Sequence, residues 1–322
     1  GYLFYHNTGV VMFEDGWPIQ LDSWYDEDFN DVVFEYDLKV TECHSQQMME
    51  TVGGKEELLL TLDVRAVGGI YPTGLGVVLT GLKSEYVDQI TASLVLKGGQ
   101  GTMRDLAKEQ LSTKDVVKVE NRSWNWDNDT RKEPRFAILT VDKAQEEGTV
   151  ITLNGLTSLM DNNQDMFQVT QGKVREGLPM LRAEVRLIGK EGLTGAEREA
   201  QLAAFRELIL DTNRQNFFIK VKDLNDTTKD KEIHMKGYAP TSDYKAKYDE
   251  LTANNGLNTG VYYSNTKGST WGVKLPVGAR HAYERVPFRV AYTGFASWVD
   301  SNGASNQKWY EGFDPEKTVR YW

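Results

Sequence analysis

The densest run of metal-capable side chains in this sequence lies between Phe13 and Phe34. Phe13-Glu14-Asp15-Gly16-Trp17-Pro18 is followed by Asp22 and then by Asp26-Glu27-Asp28-Phe29-Asn30-Asp31. Asp26, Asp28 and Asn30 fall on alternate positions, as do the first oxygen ligands of an EF-hand loop, which close on Ca²⁺ at about 2.3–2.6 Å. The match stops there, because an EF-hand needs Gly at its sixth position and Glu at its twelfth, where this chain has Asp31 and Asp37. Val32–Leu38 reads as a strand, which carries Asp37 roughly 20 Å beyond Asp31 at about 3.3 Å per residue. The pattern therefore predicts a strand-entry loop, with further oxygens drawn from Glu14, Asp15 and Asp22. Carboxylates this crowded repel one another unless a cation or hydrogen-bond donors offset them. Two readings follow: a Ca²⁺ site built from Asp26, Asp28, Asn30, Asp31, Glu14, Asp15 and Asp22, or a solvated acidic turn. Mg²⁺ fits less well, since a flexible all-oxygen cage suits the larger ion.

Other chemistry-bearing residues are sparser. His234 ends the strand-like Lys231–Met235 and reads either as a ligand or, with more weight, as a buried structural histidine. His6, His44 and His281 show no His-x-x-x-His or Glu-x-x-His spacing, so a zinc hydrolase is not indicated. No Gly-x-Ser-x-Gly elbow is present. Gly98-Gly99-Gln100-Gly101-Thr102 lacks the Lys-Ser/Thr ending of a phosphate loop and reads as a hairpin turn. Trp124 and Trp126 stand in a polar stretch, where they either stack on sugar faces or cover one end of the core. Trp17, Trp271, Trp298 and Trp309 read as structural.

Strands must position these groups. Val10–Phe13, Val32–Val40, Glu57–Val67, Thr91–Leu96, Phe136–Val141, Thr149–Leu153, Leu181–Ile188 and Phe217–Val221 are short, rich in β-branched and aromatic residues, and punctuated by Gly, Asn and Asp. That pattern predicts a mainly β protein, a jelly-roll-like β-sandwich, and not alternating βα units. In Leu62–Val67 the alternation puts Leu62, Val64 and Ala66 on one face and Asp63 and Arg65 on the other. One helix is signalled from Thr194 to about Asp211, capped by Thr194 with Glu197 and striped by Leu202, Phe205, Leu208 and Ile209. A shorter helix is expected from Thr102 through Leu111, and a loop from Asn121 to Lys132. The charge pattern favours one elongated domain over residues 1–322 with an elaborated C-terminal region; the alternative is a division into 1–170 and 171–322 near Thr170.

Composition narrows the function classes. A net charge of −10 opposes nucleic-acid and anionic-membrane partners, which need clustered Lys and Arg. No apolar stretch approaches the roughly 20 residues of a membrane-spanning helix. The single cysteine, Cys43, permits neither an internal disulfide nor a Cys-based zinc site.

In its motifs the chain resembles the LruC-type domain family of bacterial surface proteins and lipoproteins. The likeness is carried by Phe13–Pro18 and Asp26–Val32, by Val67-Gly68-Gly69-Ile70-Tyr71 with Gly74-Leu75-Gly76, by Asn216–Ile219, by Glu232–Thr241, and by Trp271, Ala291–Trp298 and Trp309-Tyr310. Met235-Lys236 departs from the more usual Leu-Pro. The resemblance implies an exported protein, at the cell surface or outer membrane and lipid-anchored, that binds calcium and adheres to a glycan or protein ligand. The first expectation is thus a non-enzymatic calcium-binding module. The alternatives are a glycoside hydrolase with paired carboxylates and a pilus-like subunit that exchanges strands.

Overall fold

The computed structural model describes residues 2–19, 27–43, 56–98, 102–126, 133–161, 166–174, 180–254 and 256–320. Period-two alternation builds two antiparallel sheets, in keeping with the mainly β sandwich expected. Strands β1 (Tyr2–Phe13), β2 (Val32–Cys43), β3 (Glu57–Ala66), β5 (Val87–Lys97), β6 (Met103–Ser112), β10 (Met180–Gly189) and β13 (Gly272–Leu275) form the first, in the order β13-β1-β2-β3-β10-β5-β6. The second contains β4 (Pro72–Thr80), β7 (Val116–Trp124), β8 (Arg135–Gln145), β9 (Gly148–Asn154), β11 (Gln215–Val221) and β12 (Lys231–His234), in the order β12-β11-β4-β9-β8-β7. Residues from both sides of Thr170 share each sheet.

The inner faces meet in one apolar layer. Val11, Phe13, Phe34, Tyr36, Leu38, Leu60, Leu62 and Val64 of the first sheet lie with Leu75, Val77, Leu139, Ile151, Leu153 and Phe217 of the second. The outer face of β1 and β2 is also covered. Val10, Met12 and Val33 join Phe29, Val273, Leu275, Phe288, Tyr292, Phe295 and Trp309 in a second cluster. Its outer half is the C-terminal layer, which includes two short helices at Phe288–Ala291 and Phe295–Asp300. Docking of the C-terminal segment on the sandwich, expected from the Trp298 and Trp309 region, is therefore present.

Several local expectations change. Thr102–Leu111 is not a helix, because β6 pairs with β5 from Lys97↔Met103 onward and makes a sheet edge. Residues 99–101 of the turn expected at Gly98–Thr102 lie outside the described residues, and at its ends Gly98 N–H donates to Thr102 O at 2.6 Å. Of the loop expected over Asn121–Lys132, Asn121–Trp124 continues β7 and residues 127–132 lie outside the described residues. Asp63 and Arg65 do lie opposite Leu62 and Val64, yet both are buried; Arg182 grips Asp63 through Nε at 2.6 Å and Nη2 at 2.8 Å, and Arg65 pairs with Glu35. Helix α1 (Gly195–Leu210) begins after Thr194, but the Thr194 side chain makes no cap bond. Its docking at the end of β2 and the start of β3 uses Arg206 on Glu42 and Arg198 on Glu56.

Gly76 occupies the centre of β4, paired with Phe218 on one side and Thr152 on the other. A Cβ there would run into the Ile151 carbonyl and approach the Phe218 ring to 2.6 Å. Backbone cannot move aside cheaply. Gly76→Ala is expected to cost about 1–3 kcal/mol, measured by urea unfolding.

Candidate metal centre

The antiparallel register Phe13↔Val32 places the residue after β1 beside the residue before β2. Glu14 and Asp31 thus become neighbours across a connection that sequence alone leaves open. Asp28 completes a trio: one oxygen from each of Glu14, Asp28 and Asp31 lies within 4.8 Å of the other two, and all three residues are buried. Asp15, half-buried, donates its backbone N–H to Asp31 Oδ2 at 2.8 Å. Asn30 is fully buried, and its Oδ1 accepts no hydrogen bond from the described residues. Asp22 and Asp26 lie outside the described residues. Asp37, the EF-hand position rejected from sequence, sits up β2 against His6 at 2.7 Å.

Backbone donors from distant segments hold the cluster. Phe29 N–H donates to Glu14 Oε1 at 2.6 Å, and Arg285 N–H to Asp28 Oδ2 at 2.8 Å. Asn30 Nδ2 reaches the Ala282 carbonyl at 3.0 Å. Gly68 N–H donates to the carbonyls of Asn30 at 2.9 Å and Asp31 at 3.0 Å. At Gly69 a Cβ would come within 2.6 Å of Asp15 Oδ2 and 3.4 Å of Asp31 Oδ1, so glycine lets this turn close on the carboxylates. Glu27 and Phe29 adopt positive φ, 44° and 51°, a conformation that costs side-chain-bearing residues free energy. Docking offsets it. The Phe29 ring packs 5.1 Å from Phe288 and 5.7 Å from Phe295, while Glu27 pairs with Arg289 at 2.8 Å.

Burial and the charges of Glu14, Asp15 and Asp28 hold the Asp31 carboxyl well above the usual carboxylate range. Burial is the larger cause; one backbone hydrogen bond opposes it. Lys231 contributes a positive charge in the field of Asp15, with its ammonium donating to Trp17 O at 2.8 Å. The donor set is all oxygen, which suits a hard divalent cation.

The other candidates lie elsewhere. Trp124 is buried, with Trp126 edge-on at 4.9 Å and Trp126 stacked on Phe167 at 6.1 Å. Buried Arg135 lies 5.2 Å from the Trp126 ring centre. This pair covers the end of the core, and Trp124 presents no open face to a sugar. His234 is buried between Asn216 and Glu232 and stacks on Phe218 at 4.9 Å. Sequence reasoning missed the Gly68-Gly69 turn, the Ala282 carbonyl and the Arg285 N–H as parts of the centre. Only the paired glycines left a trace in the sequence.

A family model described as "Domain of unknown function (DUF4842)" matches residues 56–310. The chain belongs to this family. A crystal structure of a "Putative lipoprotein from Bacteroides ovatus" is 85% identical to it and superposes with a TM-score of 0.92, covering 100% of this chain and 77% of that one. No curated protein matches. The family name these findings give is DUF4842, and they share with the LruC-type resemblance the setting of a bacterial lipoprotein. The DUF4842 match begins after the carboxylate-bearing loop but includes Gly68, Gly69, Ala282 and Arg285. No helix among the described residues is long and apolar enough to cross a membrane.

His281, beside Ala282, ties the C-terminal layer to the 166–174 segment by donating from Nε2 to Gln168 O at 2.8 Å. Burial pushes its pKa down to about 4. The folded protein therefore keeps His281 neutral while the unfolded chain protonates it near 6.5. Its contribution is complete above pH 6.5 and is lost as pH falls toward 4, by about 3 kcal/mol. His281→Gln is expected to flatten that part of the stability profile, measured by urea unfolding at intervals between pH 7 and 4.

Proposed function

We propose that this chain is a non-enzymatic, calcium-binding module of an exported bacterial lipoprotein, exposed at the cell surface and adhesive toward a glycan or protein ligand. The observation that carries the calcium reading is the buried trio Glu14, Asp28 and Asp31, with oxygens mutually within 4.8 Å, together with Oδ1 of buried Asn30, which accepts no hydrogen bond from the described residues. An orphaned buried acceptor and a set of crowded carboxylates share one remedy, a cation. Glu14, Asp28, Asn30 and Asp31 would hold the ion, with Asp15 as a further oxygen. A bound ion would supply positive charge at the junction of β1, β2, the Gly68-Gly69 turn and the C-terminal layer. The role is stabilisation of a surface, not turnover. The name of the Bacteroides ovatus relative supports export and lipid anchoring.

The hydrolase alternative needs one carboxyl kept protonated as general acid. Glu232, a deeply buried carboxylate lining the cleft described below, is held the other way. Burial alone would raise its pKa, but hydrogen bonds from His234 and Thr241 outweigh burial and keep it below the ordinary range. Incubation with polysaccharides is expected to release no reducing ends; release would overturn the non-enzymatic reading.

The calcium reading is tested by thermal melts after chelation and after return of Ca²⁺, Mg²⁺ or Zn²⁺. An ion that binds only the folded chain adds about 2.7 kcal/mol at a hundredfold excess over its dissociation constant. A Ca²⁺-selective rise in Tm is expected. Asp31→Asn is expected to abolish that rise while leaving the chelated protein at least as stable as the parent, because it removes one of the crowded charges. A calcium response unchanged in this variant would place the ion elsewhere.

A further inference from the structure

A second site lies on the outer face of the six-stranded sheet, away from the carboxylate trio. There a cleft of about 350 Å³ is lined by Thr140, Asp142 and Gln145 of β8, Val150 and Thr152 of β9, Phe218 and Lys220 of β11, and Glu232, with Glu147 and the Thr241–Asp243 segment forming its rim. Its origin is legible in the strand register. The row His234, Phe218, Gly76, Thr152, Thr140 runs across five strands, and the adjacent row carries Glu232, Lys220 and Gly74. Gly74 and Gly76 face this side because Leu75 and Val77 point into the core. The Phe218 ring and Asn154 lie against these two glycines, so the open furrow is the part of the face lined by Lys220, Thr152 and Thr140. Its volume lies within the range of about 300–1,000 Å³ found for small-ligand sites.

The rim is built and braced. Glu232 accepts from Thr241 N–H at 2.7 Å and from its hydroxyl at 2.8 Å, and His234 and Asn216 back Glu232 from within. Ser242 N–H reaches Glu147 Oε1 at 3.3 Å, and Ser242 Oγ reaches Gln145 Oε1 at 3.3 Å. These bonds tie the 241–243 segment to the β8–β9 turn and fix the cleft's shape before any ligand arrives.

What remains unsatisfied states the ligand's chemistry. Glu147 Oε2 is buried and receives no hydrogen bond from the described residues. A carboxylate oxygen in that position calls for a donor. The half-buried hydroxyls of Thr140 and Thr152 can each donate and accept, and Lys220 offers a donor opposite. A ligand that fits therefore presents both donors and acceptors within a small volume. Asp142, Glu147, Glu232 and Asp243 together outnumber Lys220 and disfavour an anion.

We infer that this cleft is a saccharide site that takes neutral sugar rings, their hydroxyls bonding to Thr140, Thr152, Lys220 and Glu147. The inference rests on the binding-module reading and not on the calcium centre, with which the cleft shares no residue.

Saturation-transfer NMR on the full chain, with short neutral oligomers of glucose, mannose, galactose and N-acetylglucosamine, tests it. At least one oligomer is expected to receive saturation, while an oligouronate receives none. Thr152→Arg fills the furrow and is expected to reduce affinity at least tenfold with an unchanged Tm. Lys220→Ala, on the opposite wall, gives a second variant, expected to weaken binding several-fold. Binding is expected to persist after chelation, so a failed calcium response leaves this test standing. Absence of transfer from the parent protein to every neutral oligomer overturns the inference, as does transfer that both variants leave intact. An oligomer that is cleaved instead of retained keeps the cleft as the sugar site and overturns the non-enzymatic reading alone.

Discussion

The pairing of β1 with β2 in the register Phe13↔Val32 decides where the charged groups of this protein can stand. It sets Glu14 against Asp31 at one end of the sheet. It also turns Val10, Met12 and Val33 outward, where the C-terminal layer covers them. That layer delivers the Ala282 carbonyl and the Arg285 N–H to Asn30 and Asp28. A slip of one residue would exchange the two faces, driving the outward set into the sandwich and removing the surface on which the layer rests. The register, the second apolar cluster and the polar centre are thus one constraint seen at three scales.

Electrostatics explains why that centre is costly. Two unit charges 4.8 Å apart repel by about 3–4 kcal/mol at an effective dielectric of about 20. A hydrogen bond to a charged group returns about 1.5–3 kcal/mol. The backbone donors to Glu14, Asp28 and Asp31 each offset part of this repulsion. A proton on Asp31 removes two of the three repulsive pairs, which agrees with the raised pKa of that group. A divalent cation would relieve all three and let each carboxylate keep its charge, so proton and cation compete for one volume.

Much of the sandwich was legible because β-branched and aromatic runs alternate with period two. The parts that were not legible have physical reasons. β4 begins at Pro72 and carries Gly74 and Gly76, residues that read as turn formers; only pairing with β9 and β11 makes the segment a strand. β6 contains Leu106, Ala107, Lys108, Glu109 and Gln110, good helix formers that the open edge of β5 draws into the sheet. At the candidate metal centre, Glu14, Asp28, Asn30 and Asp31 announced themselves by density. Their partners did not, because a backbone N–H such as that of Arg285 carries no signature of its residue type. The tryptophans show the reverse case, in which a polar sequence neighbourhood around Trp124 hid a buried ring.

The placement of β13 bears on how the chain reaches this state. Gly272–Leu275 pair with Val10–Phe13, so the first strand of the sheet finds one of its two neighbours only after some 260 further residues have been made. The Asn30–Ala282 bond closes a loop of similar size. Contacts of such sequence separation form late and slow the approach to the native fold. During synthesis the N-terminal hairpin must wait with its outward apolar face bare. The structure cannot close ahead of the segment that carries β13 and Ala282, and the acidic centre is assembled only once that segment is present.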